Sequence, residues 1–164
     1  MIRTQLFFVS TMSILSNFQI EKVAKLCKTH VLTCCLDELA HMHPGLLVYN
    51  YSKTTSDDGG SHWAALCCHG SNAYCVDSYG RPPLKEVVAF ANKHGLTLYT
   101  NATQIQDNAS VDCGWFALGF CLFFAKLAHK DECIQDWLDL FSSDYRANDF
   151  ELHSWWKKNT KLKI

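Results

Sequence analysis

The stretch His62-Trp-Ala-Ala-Leu-Cys-Cys-His69-Gly-Ser-Asn72-Ala-Tyr-Cys-Val-Asp77-Ser-Tyr-Gly80 reads as two strands joined by a tight turn. Its first arm, 62–68, is almost continuously apolar, as a strand buried on both faces must be. His69-Gly-Ser-Asn72 supplies the turn, and 73–78 returns as the second arm. With Gly70-Ser71 at the tip, His62 faces Tyr79, and Asp77 lies one step along the diagonal on the same face. Diagonal neighbours stand roughly 7–8 Å apart at the backbone, within reach of these two side chains. A slip of one residue sends Asp77 to the opposite face, so a His62–Asp77 contact demands one register.

Working outward, Ser16-Asn-Phe-Gln19 fits a capping box, and Ile20, Val23, Ala24 and Cys27 follow helical spacing. A helix is expected from Asn17 to about Lys28, and a strand over Gly45 to Ser52. Ser56-Asp-Asp-Gly-Gly60 is a flexible loop. Beyond the hairpin, Pro82-Pro83 suits the first turn of a helix and Gly95 its C-terminal end, with Leu84, Val87, Val88 and Ala91 on one apolar face. A short strand is expected over 96–100, then a polar loop over 101–112. A long helix begins near Cys113 and carries the apolar segment Ala117 to Lys130. A final helix runs from Asp131 to about Ser142. This order predicts an α+β domain, a mixed central β-sheet flanked by helices. No linker divides the chain, so 1–164 is expected as one domain with an N-terminal extension, 1–15, and a basic C-terminal tail, 157–164.

Composition narrows the function classes. Apolar residues make up 48% and charged residues 19% of the 164, which argues for a packed core and against disorder. A formal charge of -1 gives no electrostatic case for nucleic-acid binding. Leu6-Phe-Phe-Val9 is too short for a signal peptide or a membrane span, so an intracellular protein without a membrane partner is expected. The nine cysteines contain no C-x-x-C, and Cys34-Cys35 and Cys67-Cys68 are adjacent pairs. On a strand such neighbours point to opposite faces and make poor bridges or chelates. No metal and no cofactor are expected.

The chemistry-bearing residues are Cys113, His62 and Asp77. Cys113 stands at the mouth of the long helix, where the partial positive charge of a helix N-terminus favours thiolate over thiol. Gly114 next to it admits a substrate or another backbone close to the sulfur. His62 is the candidate base, and Asp77 the carboxylate that orients it. The backbone amide of Cys113 and the side-chain amide of Gln106 are candidate oxyanion donors. The set defines a cysteine hydrolase.

Three motifs, His62-Trp63, Asp77-Ser-Tyr-Gly80 and Gln106-(six residues)-Cys113-Gly, together resemble the adenovirus proteinase (adenain) family. They also resemble the related SUMO-protease clan, which shares the chain order His, acid, Gln, Cys. The segment from Ser16 and the stretch Val48 to Trp63 look closest to proteases of Maverick/Polinton elements and of adinto- or adomavirus-like DNA viruses. The similarity spans about Ser16 to Phe124. It implies the adenain/SUMO-protease-like fold with the nucleophile at a helix N-terminus. It implies an endopeptidase that cleaves viral capsid and core precursor proteins at glycine-containing sites during virion maturation, in the host nucleus or cytoplasm and in the virion. By the same match His62, Asp77 and Cys113 form the triad, Gln106 takes the oxyanion role with Gln104 as a weaker alternative, and Trp63 lines the substrate groove.

The chain departs from the family at defined points. Adenain uses glutamate where this sequence has Asp77, whereas the SUMO-protease branch uses aspartate. The adenovirus enzyme also uses an activating peptide, tethered through a disulfide, and DNA. Here no cysteine lies between Cys75 and Cys113 and the charge is near neutral, so neither activator has support in the sequence. Two other readings stand beside the protease. One is a deubiquitinase or SUMO-like protease acting on Gly-Gly C-termini; the other is an inactive binding module that keeps the fold.

Overall fold

The computed structural model describes residues 12–55 and 61–162, which form an α+β fold around one five-stranded mixed sheet. The apolar run Leu6–Val9 and the Ser56–Gly60 loop lie outside the described residues. In chain order come α1 (Asn17–Leu26), β1 (Leu32–Cys35), a 3-10 turn (Leu36–His41), β2 (Leu46–Asn50), β3 (Trp63–His69) and β4 (Asn72–Val76). They are followed by α2 (Lys85–Lys93), β5 (Thr97–Thr100), α3 (Cys113–Lys126), α4 (Cys133–Leu138) and α5 (Tyr145–Asn159). The strands lie in sequence order, with β1–β2 and β4–β5 parallel and the two inner pairings antiparallel.

The hairpin has the register its sequence predicts. His69 pairs with Asn72 and Ala65 with Val76. Gly70 at the tip has φ +57°, a conformation that costs glycine nothing. Alternation along β3 explains its unbroken apolar run. Ala65 and Cys67 face a core shared with α1, α3, α4 and α5, while Ala64 and Leu66 face a second core under the 3-10 turn and α2. Helix α3 packs on the first face and is apolar nearly all round, because neighbours cover it on most sides.

Local signals account for the helix ends. Ser16 accepts from the Gln19 amide at 3.3 Å while Gln19 Oε1 accepts from the Ser16 amide at 2.8 Å, a complete capping box. Gly95 follows the last turn of α2 at φ +63°. At the C-terminus of α3, Lys130 Nζ donates to the carbonyls of Phe124 and Leu127, so the helix stops at Lys126 and does not reach Lys130.

Other expectations need correction. Pro82-Pro83 precede α2 and do not form its first turn: the cap is Leu84, extended at ψ 153°, and the helix starts at Lys85. The expected final helix shrinks to α4, and a further helix, α5, follows it. Asp144 caps α5 by accepting from the amides of Arg146 and Ala147 at 3.2 and 3.3 Å. Lys157 and Lys158 therefore belong to the last helical turn, where cations suit the helix dipole, and not to a loose tail. β1 and the 3-10 turn were not expected either. Of the expected N-terminal extension, the described residues Met12 and Leu15 are buried in the core.

The turn after β4 depends on Gly80. It has φ +65°, and a Cβ there would lie 2.7 Å from the Thr103 carbonyl carbon and 2.8 Å from the Gln104 amide nitrogen. Gly80→Ala is expected to destabilise the protein by at least about 2 kcal/mol, read as a lowered urea midpoint with an unchanged slope.

Candidate active site

Three segments converge on one cleft of about 870 Å³, lined by His62, Trp63 and Cys113 together with Tyr51, Tyr79 and Arg81. His62 immediately precedes β3, Asp77 immediately follows β4, and Cys113 opens α3. His62 Nε2 lies 3.2 Å from Asp77 Oδ2, and both side chains are buried. Cys113 lines the same cleft as His62, and its thiol is one of the groups that act on the imidazole. The hairpin register thus puts the predicted base and carboxylate in contact, and the helix start brings Cys113 to the same cleft.

Asp77 is held at every polar atom. Its Oδ2 also accepts from the Tyr51 hydroxyl, and its Oδ1 accepts from the Tyr79 amide at 2.7 Å. Buried Asn101 grips the backbone on both sides, accepting from the Asp77 amide at 2.9 Å and donating to its carbonyl at 2.7 Å. The imidazole lies between two rings, edge-on to Tyr51 and stacked on Tyr79, each with centroids 4.9 Å away. Rotation of His62 is therefore blocked by packing and by a hydrogen bond together.

The electrostatics follow from this arrangement. Burial opposes the charged form of His62, but the Asp77 carboxylate, and after it the Cys113 sulfur, outweigh it and hold the imidazole above its ordinary value. Burial likewise pushes the Asp77 carboxyl up, and the bonds from His62, Tyr51 and the Tyr79 amide more than offset it, leaving the group below the usual carboxylate range. Desolvation, then the Asp77 contact, raises Tyr51, so it remains a neutral donor.

The remaining predicted residues fall elsewhere. Gln106 is fully buried and does not line the cleft. Its Oε1 accepts from Ser78 Oγ at 2.5 Å, and its Nε2 donates to Ser110 O at 3.1 Å with Ser110 Oγ at 3.3 Å. In this arrangement it braces the loop before the nucleophile. Gln104 is similarly occupied, with its amide on Gln106 O and Asn108 Oδ1. Donors remain at the first turn of α3, where amides have no intrahelical acceptor and the cap residue Asp112 makes no side-chain bond to them. Gly114 is buried against protein, not open to substrate. A Cβ there would come within 3.2 Å of Leu15 Cβ and 3.3 Å of Trp63 Cδ1. Trp63 does line the cleft, but its indole N–H is committed to Leu15 O at 2.9 Å. Trp115 makes the matching bond to Ser13 O at 2.9 Å.

Several contributing residues were not anticipated. Tyr51 follows β2, and its amide bonds to His62 O at 2.9 Å, so continuing the β2–β3 ladder past the strand end would have located it. Asn101 and Arg81 carry no comparable signal. Among the described residues no three His, Cys, Asp or Glu side chains converge as a metal site, and no helix is long and apolar enough to cross a membrane.

No family model matches this chain, and no curated protein does.

In the native protein His62 is expected to titrate above the ordinary imidazole range. Asp77→Asn removes the main group that raises it and should move the midpoint down, followed by NMR of the imidazole resonances. The sign carries into stability. The contribution from charged His62 is fully present below the unfolded imidazole value and fades as pH rises through the higher folded one.

Proposed function

We propose that this chain is a cysteine endopeptidase of the adenovirus-proteinase type. The observation that carries the reading is a buried imidazole 3.2 Å from a fixed carboxylate, in one cleft with a cysteine at a helix N-terminus. His62 takes the Cys113 proton as the sulfur attacks the scissile carbonyl, and it returns that proton to the leaving amine. Asp77 holds the ring in the tautomer that makes this transfer possible and stabilises the imidazolium. The thioester left on Cys113 is hydrolysed by a water that His62 activates in turn. The amides of the first turn of α3, the Cys113 amide foremost, stabilise the tetrahedral oxyanion. Gln106 can join them only after its Nε2 leaves Ser110. Otherwise it acts by holding Ser110 and the loop into α3.

The substrate assignment follows the sequence resemblance: viral capsid and core precursors, cut at glycine-containing sites during virion maturation. Glycine beside the scissile bond suits a nucleophile flanked by the Trp63 ring.

Cys113→Ala and His62→Ala should each lower cleavage of a glycine-containing precursor peptide by at least about 10³-fold, with an unchanged circular dichroism spectrum. Turnover that persists in Cys113→Ala overturns the proposal. Adduct formation with ubiquitin or SUMO C-terminal probes, without precursor cleavage, would move the substrate class to Gly-Gly conjugates.

A further inference from the structure

Arg81 is the second residue of the cleft rim after Tyr79, and the catalytic relay described above makes no use of it. Its guanidinium lies 4.9 Å from the Tyr79 ring centroid and 5.8 Å from that of Tyr51. These are the same two rings that enclose His62. The backbone beneath it is fixed by Gly80, whose left-handed φ and close approach to the Ala102–Gln104 backbone leave one geometry. The Gly80 amide closes the turn onto Asp77 O at 2.9 Å. Among the described residues, Arg81 makes no ion pair.

A planar guanidinium resting on aromatic faces keeps its N–H edge free while losing much of its rotational freedom. The ordering cost of capturing an anion is thereby met in advance. Elsewhere in the cleft, the Glu38 carboxylate is spent on the Cys35 amide at 2.8 Å. Asp77 is enclosed by its own donors, so neither acid competes for Arg81 from the cleft wall.

The geometry points to Arg81 as a carboxylate-recognition site for the substrate, resting on the protease reading above. The His62 and Tyr79 rings are 4.9 Å apart and Arg81 sits 4.9 Å beyond Tyr79, so the guanidinium is within about 10 Å of the imidazole. That distance is roughly three residues of extended peptide. The recognised carboxylate therefore belongs to an Asp or Glu side chain within about three residues of the scissile bond, or to a free C-terminus at that distance.

Binding and turnover separate the two proposals. The full chain carrying Cys113→Ala is titrated with glycine-containing peptides in which one Glu, or Gln as its neutral match, is moved through the three positions on either side of the glycine. A second pair differs only in a free or amidated C-terminus. The Glu peptide at one position, or the free acid, should bind about tenfold or more tightly than its neutral match. Arg81→Gln should erase that preference, and Arg81→Lys, which keeps charge but not the fork, should restore only part of it. Equal affinities throughout, absence of binding, or a preference that survives Arg81→Gln overturns the assignment. Cleavage of the same peptides by the native chain tests the protease reading independently. A native chain that binds acidic peptides without cutting them refutes the protease and leaves the Arg81 site standing.

Discussion

Everything at the centre of this molecule depends on one register, that of β3 against β4. His62 and Asp77 lie just outside the ladder, at the open end of a hairpin whose last paired residues are Ala65 and Val76. A shift of one residue would turn Asp77 from the α2 side of the sheet, which it shares with Cys75 and Tyr51, to the opposite face and leave the imidazole buried without its acceptor. Such a shift is opposed by two cores at once, because β3 alternates between them and would have to exchange every contact. The relay is thus specified by hydrophobic burial well away from it, and the polar bonds to Asp77 refine a position already chosen.

Cys113 has a separate anchorage. Trp63 follows His62, and Trp115 follows Cys113 by two residues; their indoles donate to the carbonyls of Leu15 and Ser13, two residues apart on one segment. Leu15 also packs against Gly114, so the segments carrying His62 and Cys113 are tied to one short length of chain. On the other side, buried Asn148 of α5 donates to Ile105 O at 2.8 Å and fixes the start of the loop that ends at Cys113. Ser110 is the loop's internal hub, accepting from Gln106 and from the Asp112 amide. The site is rigid because elements from both ends of the chain clamp the same loop and helix start.

Much of this was legible in the residues and some was not. A nearly unbroken apolar run and a glycine turn make the hairpin readable, and the capping box marks α1. α5 escaped because its buried stripe of Asn148, Leu152 and Trp156 is narrow and contains a polar residue, so periodicity is weak against a polar background. β1 has only four residues, with Cys34 as its one buried side chain, and its place in the sheet comes from pairing with β2. Gln106 shows the limit of motif spacing. Its position follows from the chain, but the direction of its amide is decided by the hydroxyl of Ser78 and by the Ser110 loop. Gly114 shows the same for a small residue, whose open side is filled by Leu15 and Trp63. Arg81 and Asn101 acquire meaning only from rings and backbone brought near by the fold.

The distribution of sulfur has a practical side. None of the nine cysteines is in a disulfide, and Cys67, Cys75 and Cys121 are sealed in the two cores. Burial raises the thiols of Cys34, Cys75 and Cys133 to about 12, far from the ionised form that electrophiles require. Despite its thiol-rich composition, the folded chain offers a warhead-bearing peptide one sulfur that lines the cleft at the start of a long helix, together with His62. A covalent ligand guided by that cleft can therefore be selective without any cysteine being removed by mutagenesis.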